Sequence, residues 1–182
     1  MTHTERHRAE SFGEDAELYD EARPGYPAAM IADLTGGAHL EVLDVGCATG
    51  KAGSALSGAG CTVLGVEIDE RMAAVARSKG LEVEVGSFES WEAAGRSFDL
   101  VVCGQAWHWL DPAIAPVRAA SVLRQGGRLA PFWNFRDPIE DPEEAALISA
   151  IYEREAPRLL PATSRVIGLC QPGDSLAGHV AA

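Results

Sequence analysis

The sequence is short of positive charge and has no cysteine pairing pattern. Lysine and arginine number 15 against 27 aspartates and glutamates, for a net charge of −12. Nucleic acids and anionic membranes attract basic surfaces, so neither is expected as a main partner. The cysteines form no CxxC pair and have no histidine at zinc-finger spacing, so we predict buried hydrophobes and no metal site. They are Cys47, Cys61, Cys103 and Cys170.

Long apolar segments are also absent. No stretch approaches the roughly 20 residues that span a bilayer, and residues 1–10 are polar and charged, unlike a signal peptide. A cytoplasmic protein is therefore expected. The 182 residues are enough for one domain with a full core.

Apolar strand-like runs alternate with helix-like segments along the chain. Short links between them predict an α/β fold, a doubly wound and mainly parallel sheet whose ligand lies at the carboxyl ends of the strands. The helix at 112–124 should begin with Asp111 and Pro112, Pro116 favours a late or kinked start, and Gly126-Gly127 should end it. The expected strands lie at 40–45, 61–66, 81–85, 98–103 and 128–133, and further helices at 28–34, 51–57, 70–79 and 142–155. The expected organisation is a disordered tail (1–10), a helical lid (11–37), the sheet domain (38–160) and an irregular tail (161–182).

Three glycines, at positions 46, 50 and 53, follow the first predicted strand of the sheet. Glycine allows a ligand to approach the backbone closely and allows a positive φ. A tight turn without a ligand is one interpretation, and a nucleotide site is another. The dinucleotide pattern GxGxxG does not fit the GxxxG spacing, and the phosphate loop GxxxxGK[ST] fails because Gly46 and Gly50 are one residue too close.

Two carboxylates limit the nature of the ligand. Asp44 precedes the glycine turn, and Glu67 ends the second strand about twenty residues later. An acid in the position of Asp44 would repel pyrophosphate and suit a cation, whereas one in the position of Glu67 can accept hydrogen bonds from both hydroxyls of a ribose. Together they favour a positively charged nucleoside without phosphate, and S-adenosylmethionine fits that description.

Four segments in order resemble a known family. LDVGCATG (43–50) resembles motif I of the class I S-adenosylmethionine-dependent methyltransferases, usually close to LDVGCGTG, with Ala48 as the departure. GVEIDERMAAVAR (65–77) resembles their second motif, and FDLVVCGQAWHWLDP (98–112) and VLRQGGRLAPFWN (122–134) resemble later strands. AELYDEARPGYP (16–27) is similar to the lid of the type 11 small-molecule methyltransferases. Over roughly residues 12–160, the resemblance implies a Rossmann-like fold and a transferase of class EC 2.1.1.-.

The resemblance also implies cofactor contacts. Relatives often hold the adenine amino group with an acid after the third strand. Here Ser87 takes that place, so the amides of Ser87 and Phe88 or the Glu89 carboxylate would serve. The residues expected to bind S-adenosylmethionine are Asp44, Gly46, Cys47, Ala48, Gly50, Glu67, Ile68, Ser87, Phe88, Glu89, Gln105 and Ala106.

Residues near the acceptor are the candidates for chemistry. A sulfonium is already activated, so a base is needed only if the acceptor must lose a proton. His108 could take that proton, or it could be a loop histidine held by a hydrogen bond. Tyr19 is the other catalytic candidate, through a hydrogen bond to cofactor or acceptor. The expected acceptor contacts are Arg23, Tyr26, Trp107 and Asn134. Plain packing is the alternative for Tyr19, Arg23 and Tyr26.

The C-terminal region differs from the family pattern. Relatives continue past the fifth strand with a helix and a reversed hairpin, but no hairpin is recognisable here, so we expect it to be missing or incomplete and the chain to be truncated. The strand at 128–133 would then be an apolar edge that invites a homodimer. Three hypotheses follow: methyl transfer to a small molecule at O, N or C by in-line displacement, a truncated cofactor-binding remnant without efficient turnover, and a nucleotide-dependent oxidoreductase.

Overall fold

The computed structural model describes residues 13, 15–134, 141–155 and 157. The chain divides into two compact units, Met1–Trp133 and Asn134–Ala182. The first unit contains the whole described sheet, and the described part of the second contains one helix. The expected tails at 1–10 and 161–182 lie outside the described residues, as does Cys170.

The sheet has five strands in the order β3-β2-β1-β4-β5, and every described pairing is parallel. The chain winds outward from β1 through β2 to β3, then returns to the other side of β1 for β4 and β5. This reversal confirms the doubly wound α/β fold and places the switch point between β1 and β4. The strands are β1 (Glu41–Val45), β2 (Thr62–Glu67), β3 (Glu82–Val85), β4 (Phe98–Gly104) and β5 (Leu123–Phe132).

Helices cover both faces of the sheet. Successive strand residues point to opposite sides, so each strand contributes side chains to two buried clusters. In β1, Val42 joins one buried cluster together with Leu56, whereas Leu43 joins a second cluster together with Phe98. The helices of the first unit are α1 (Ala16–Ala22), α2 (Ala28–Thr35), α3 (Lys51–Gly58), α4 (Glu70–Ser78) and α5 (Ala115–Val122), and the second unit holds α6 (Pro142–Glu155). None of the helices in the described ranges is long and apolar enough to cross a membrane.

The predicted helix at 112–124 is shorter than expected. The side chain of Asp111 accepts a hydrogen bond from the amide of Ala113 at 2.8 Å, but α5 begins at Ala115, with Pro116 in its first turn as its fixed φ allows. The glycine pair does not end the helix. Phe98 pairs with Leu123 whereas Leu100 pairs with Arg128, so the glycines lie in an irregular stretch of β5.

For the chain after β5, the sequence predicts a missing or incomplete reversed hairpin and a helix at 142–155. No reversed hairpin occurs within residues 15–134 or 141–155, where β5 is the outermost strand on its side. The helix expected at 142–155 is confirmed as α6, with Asp141 capping it through Glu143 at 2.9 Å. The homodimer through this edge stays a prediction.

Candidate cofactor site

A cavity of about 300 Å³ lies at the carboxyl ends of β1 to β4, as the fold predicts. The segments that follow these four strands line it, together with side chains from α1 and α4. The lining residues are Tyr19, Arg23, Gly46, Ala48, Val66, Glu67, Ile68, Met72, Gly86, Ser87, Phe88, Glu89, Gly104, Gln105, Ala106, His108, Trp109 and Leu110.

Gly46 forms the floor of the cavity directly after β1. Its φ is +64°, and a Cβ there would lie 2.8 Å from the Cβ of Ala106. Its amide donates to the carbonyl of Val66 at 2.8 Å, which ties the turn to the end of β2. Two residues later, Ala48 also has a left-handed φ of +49°, although it carries a side chain. Together with Gly50, at +79°, the turn has positive φ at three positions, and glycine occupies two of them.

Glu67 ends β2 and faces the cavity with only 8% of its surface exposed. One carboxylate oxygen accepts from the amide of Ala48 at 2.8 Å, and the other from the amide of Asp69 at 3.0 Å. Burial raises the pKa of Glu67, although these amides oppose the rise. Because a carboxylate oxygen can accept more than one hydrogen bond, both oxygens keep capacity for ligand hydroxyls.

Asp44 does not line the cavity. It is 1% exposed and lies beneath the turn beside Gly53, where a Cβ would stand 3.2 Å from its Oδ2. That oxygen has no hydrogen-bond partner among the described residues. Burial raises the pKa of Asp44 to about 7, partly opposed by the Gly53 amide and reinforced by the charge of Glu67. The binding role expected for Asp44 stays a prediction, with its side chain beneath the turn and not in the cavity lining.

Gly50 and Cys47 are also not among the lining residues, and their contact with the cofactor stays a prediction. Gly50 has a φ of +79°, and a Cβ there would lie 2.5 Å from a methyl carbon of Leu81. Cys47 is buried against Gly65, and burial raises the pKa of its thiol. Cys47 thus packs the turn against Gly65 of β2, and Gly50 packs it against Leu81 and against Ala76 of α4.

The segment after β3 lines the cavity as expected. Ser87 donates to one carboxylate oxygen of Glu89 at 2.5 Å, and the amide of Asp111 donates to the other at 3.1 Å. Glu89 thus joins the segments that follow β3 and β4. Ile68, Gln105 and Ala106 face the same cavity.

The acceptor-side candidates fall into two groups. Tyr19, Arg23 and His108 line the cavity, and the Arg23 guanidinium lies 5.0 Å from the centre of the Tyr19 ring. Burial raises the pKa of Tyr19, partly opposed by Arg23, and burial lowers the pKa of His108. The indole nitrogen of Trp133 lies 3.2 Å from Nδ1 of His108.

The other acceptor-side candidates are not among the lining residues, although the Tyr26 hydroxyl lies against Gly104, which is one of them. Tyr26 packs edge-on against Phe132, with ring centres 4.9 Å apart, and Trp107 packs against the core. Asn134 begins the second unit and is not part of this cavity. The two tryptophans that flank His108 thus differ, because the turn at Trp107–Trp109 directs Trp107 to the core and Trp109 to the cavity.

Sequence reasoning missed several lining residues, including Val66, Met72, Gly104 and Leu110. Met72 could have been found, because it lies in the first turn of α4, and that helix begins at the carboxyl edge of the sheet. The sequence gives no such signal for Val66, because an apolar residue in a strand is expected in the core.

The charges around the cavity suit a cationic nucleoside. Among the described residues that line it, Arg23 is the one permanent cation, whereas Glu67 and Glu89 supply carboxylates. Phosphate sites instead combine helix N-termini with basic side chains or several glycine amides. The glycine floor and the buried acceptor at Glu67 therefore fit an adenosyl sulfonium better than a pyrophosphate.

Comparison with known proteins agrees with this geometry. A family profile described as a methyltransferase domain matches residues 43–130. The chain belongs to the class I S-adenosylmethionine-dependent methyltransferases. An uncharacterized methyltransferase of Mycobacterium tuberculosis is 39% identical over 142 residues, which are 75% of this chain and 57% of that protein. The ubiquinone biosynthesis O-methyltransferase of Thiobacillus denitrificans is 31% identical over 129 residues, covering 66% of this chain and 53% of the relative.

A solved structure from Anaeromyxobacter dehalogenans, provisionally described as a type II methyltransferase, matches with a TM-score of 0.60 and 27% identity over 75% of this chain and 59% of that one. The chain spans a little over half the length of the curated relatives it matches. The cofactor that family membership implies is S-adenosylmethionine. The residues present fit it: Gly46 leaves room for it, and Glu67 can accept from its ribose hydroxyls.

Proposed function

We propose that this methyltransferase transfers a methyl group from S-adenosylmethionine to a small-molecule acceptor, at oxygen, nitrogen or carbon, by in-line displacement. The observation that carries the proposal is the pairing of the side-chain-free floor at Gly46 with the buried carboxylate of Glu67 in one cavity. When bound, S-adenosylmethionine supplies a methyl group already activated by its sulfonium. The protein's task is then mainly alignment, which is worth about 7–11 kcal/mol of barrier in well-oriented reactions.

The lining residues divide the work of binding. Glu67 would accept from the ribose hydroxyls while the amides of Ala48 and Asp69 hold its carboxylate in place. The segment at Ser87, Phe88 and Glu89 would border the adenine, and Ile68 would pack against it. Gln105 and Ala106 would lie on the side from which the acceptor approaches, because they follow β4 directly.

Oxygen acceptors are the first to test. The relative from Thiobacillus denitrificans is named as an O-methyltransferase, which supports this order at 31% identity. Phenols and carboxylates are the simplest compounds that present a nucleophilic oxygen. A remnant without turnover would bind the cofactor and transfer no methyl group to any acceptor of the panel.

Calorimetry of cofactor binding tests the proposal. We expect S-adenosylmethionine and its demethylated product, S-adenosylhomocysteine, both to bind, and Glu67→Gln to weaken binding at least tenfold, since hydrogen bonds to a charged group are each worth about 1.5–3 kcal/mol. Glu82→Gln, an exposed acid in β3, is the matched control and should bind like the wild type. Thermal unfolding of both variants separates a lost contact from a lost fold. Absence of binding at millimolar ligand would contradict the proposal.

A further inference from the structure

His108 has a fixed hydrogen-bond partner outside the cavity. It lies in the turn Trp107–Trp109 after β4 and lines the cavity, whereas Trp133, just after β5, does not. The Nε1 atom of Trp133 is 3.2 Å from Nδ1 of His108. An indole N–H can only donate, so Nδ1 must be the acceptor and carries no proton.

The partner determines which nitrogen holds the imidazole proton. In a neutral histidine one ring nitrogen is protonated and the other is not, and the hydrogen bond made by one decides the state of the other. With Nδ1 accepting, the proton resides on Nε2, the nitrogen that remains for a ligand. The half-buried site also disfavours the doubly protonated ring, because burial lowers the pKa of His108. Nε2 then has no lone pair with which to take a proton.

We propose that His108 is a hydrogen-bond donor that positions the methyl acceptor by a lone-pair-bearing oxygen, and that Trp133 is the positioning residue that fixes its tautomer. The statement about the acceptor rests on the proposed function, whereas the tautomer does not. This differs from the general base, one of the two interpretations of His108 that the sequence left open.

The surroundings indicate which acceptors fit. Arg23 and Tyr19 line the same cavity and carry further donor groups, and the ring of Trp109 lies 4.7 Å from that of His108. Donors beside an aromatic wall favour a flat apolar compound that bears a carbonyl, carboxylate or ionised phenolic oxygen. An amine or alcohol that must lose its proton to Nε2 is disfavoured.

Nuclear magnetic resonance of the imidazole nitrogens tests the tautomer directly. Long-range proton–nitrogen correlation of the wild-type protein at pH 8 should show His108 protonated at Nε2, with its signal assigned by its loss in His108→Gln. Trp133→Phe removes the donor and keeps an aromatic ring, so the tautomer should shift toward a mixture. Trp109→Phe, which alters the neighbouring ring without removing that hydrogen bond, should leave it unchanged. A wild-type His108 protonated at Nδ1 would overturn the proposal, and either His108→Gln or His108→Leu can supply the assignment.

Ligand binding tests the donor role. Benzoate and benzylamine are titrated into protein saturated with S-adenosylhomocysteine. We expect benzoate to bind the wild type and His108→Gln, whose amide can still donate, and to bind His108→Leu about tenfold more weakly, with no such loss for benzylamine. Equal affinity of benzoate for the leucine variant would overturn the donor role. Failure of S-adenosylhomocysteine to bind would overturn the proposed function alone, because the tautomer measurement requires no ligand.

Discussion

Ala48 occupies the most unusual backbone position of the cofactor turn. Its φ of +49° places it in the left-handed region, which costs a residue with a Cβ roughly 1–2 kcal/mol. Replacing it with glycine removes that cost, although glycine also gives the unfolded chain more freedom. We therefore expect Ala48→Gly to raise the free energy of unfolding by about 0.5–1 kcal/mol, measured by urea denaturation, and to leave the Glu67 contact to its amide intact.

A helical alanine provides the comparison. Ala74 is exposed in α4, where a glycine should lower stability by roughly 1 kcal/mol. Opposite signs for Ala48→Gly and Ala74→Gly would show that the gain belongs to the left-handed position. Destabilisation by both substitutions would mean that Ala48 is not strained.

Single residues differ in how far the sequence predicts their role. Glu67 was predictable, because an acid at the end of the second strand has a place in the cleft that follows from topology alone. The placement of Cys47 and Gly50 was not, because each is one or two residues from a lining position and the turn directs it into the packing. Asp44 belongs to β1 itself, and its side chain is buried beside Gly53 of α3. The period of a strand predicts faces, but it does not extend into an irregular turn.

Helix α1 is joined to the rest of the site by an ionic contact. Asp20 of α1 lies 2.5 Å from the Lys79 ammonium and 3.7 Å from that of Lys51, and Lys79 also donates to the carbonyl of Thr49 at 2.8 Å. Burial alone would raise the pKa of Asp20, but the hydrogen bond to Lys79 and the nearby lysine charges outweigh that effect. The pKa of Asp20 is therefore lowered, and the carboxylate stays ionised at neutral pH. The helix that carries Tyr19 and Arg23 is thereby tied to the cofactor turn.

Breaking this contact should loosen α1 without unfolding the protein. We expect Asp20→Asn to speed amide hydrogen exchange across residues 15–27 several-fold, because partly exposed ion pairs contribute only about 0–1 kcal/mol to global stability. Mass spectrometry of deuterium uptake measures it, and cofactor affinity should fall with the loss of an ordered α1. Glu17→Gln on the exposed side of the same helix is the control. Unchanged protection in Asp20→Asn would show that α1 is held by packing instead.

At the level of elements, the order of strands and helices was predictable and the limits of α5 and β5 were not. Alternating apolar runs and helix signals determined the parallel sheet, because each element has its own period. The junction between α5 and β5 has competing signals: Gly126 and Gly127 are typical of a helix end, yet β4 already pairs with Leu123. Tertiary pairing therefore decided a boundary for which the local sequence indicated a different position.

For the whole molecule, the buried acids make stability depend on pH. The pKa values of Asp44 and Glu67 are raised by burial, so their contribution to stability is complete below their unfolded values and is lost as pH rises, up to about pH 7 for Asp44. The pKa values of Asp20, Asp69 and Glu84 are lowered in the folded protein, so the stability from these groups is lost as pH falls. We expect a maximum between about pH 4 and 5. The net charge of −12 at pH 7 acts in the same direction as the buried acids, because repulsion grows with pH.

Asp44→Asn isolates the contribution of Asp44, the buried acid whose pKa is raised to about 7. At 1.36 kcal/mol per pH unit, a pKa rise from 3.8 to about 7 amounts to roughly 4 kcal/mol of stability lost between acid and neutral pH. Asparagine cannot ionise, but its buried amide would be left unpaired at a cost of about 1–3 kcal/mol. The variant should therefore be less stable than the wild type at pH 4 and more stable at pH 8, so that the two curves from urea unfolding cross. Asp33 is an exposed acid on α2, so the curve of unfolding free energy against pH for Asp33→Asn should run parallel to that of the wild type. A parallel curve for Asp44→Asn would mean that Asp44 is ionised at neutral pH without cost.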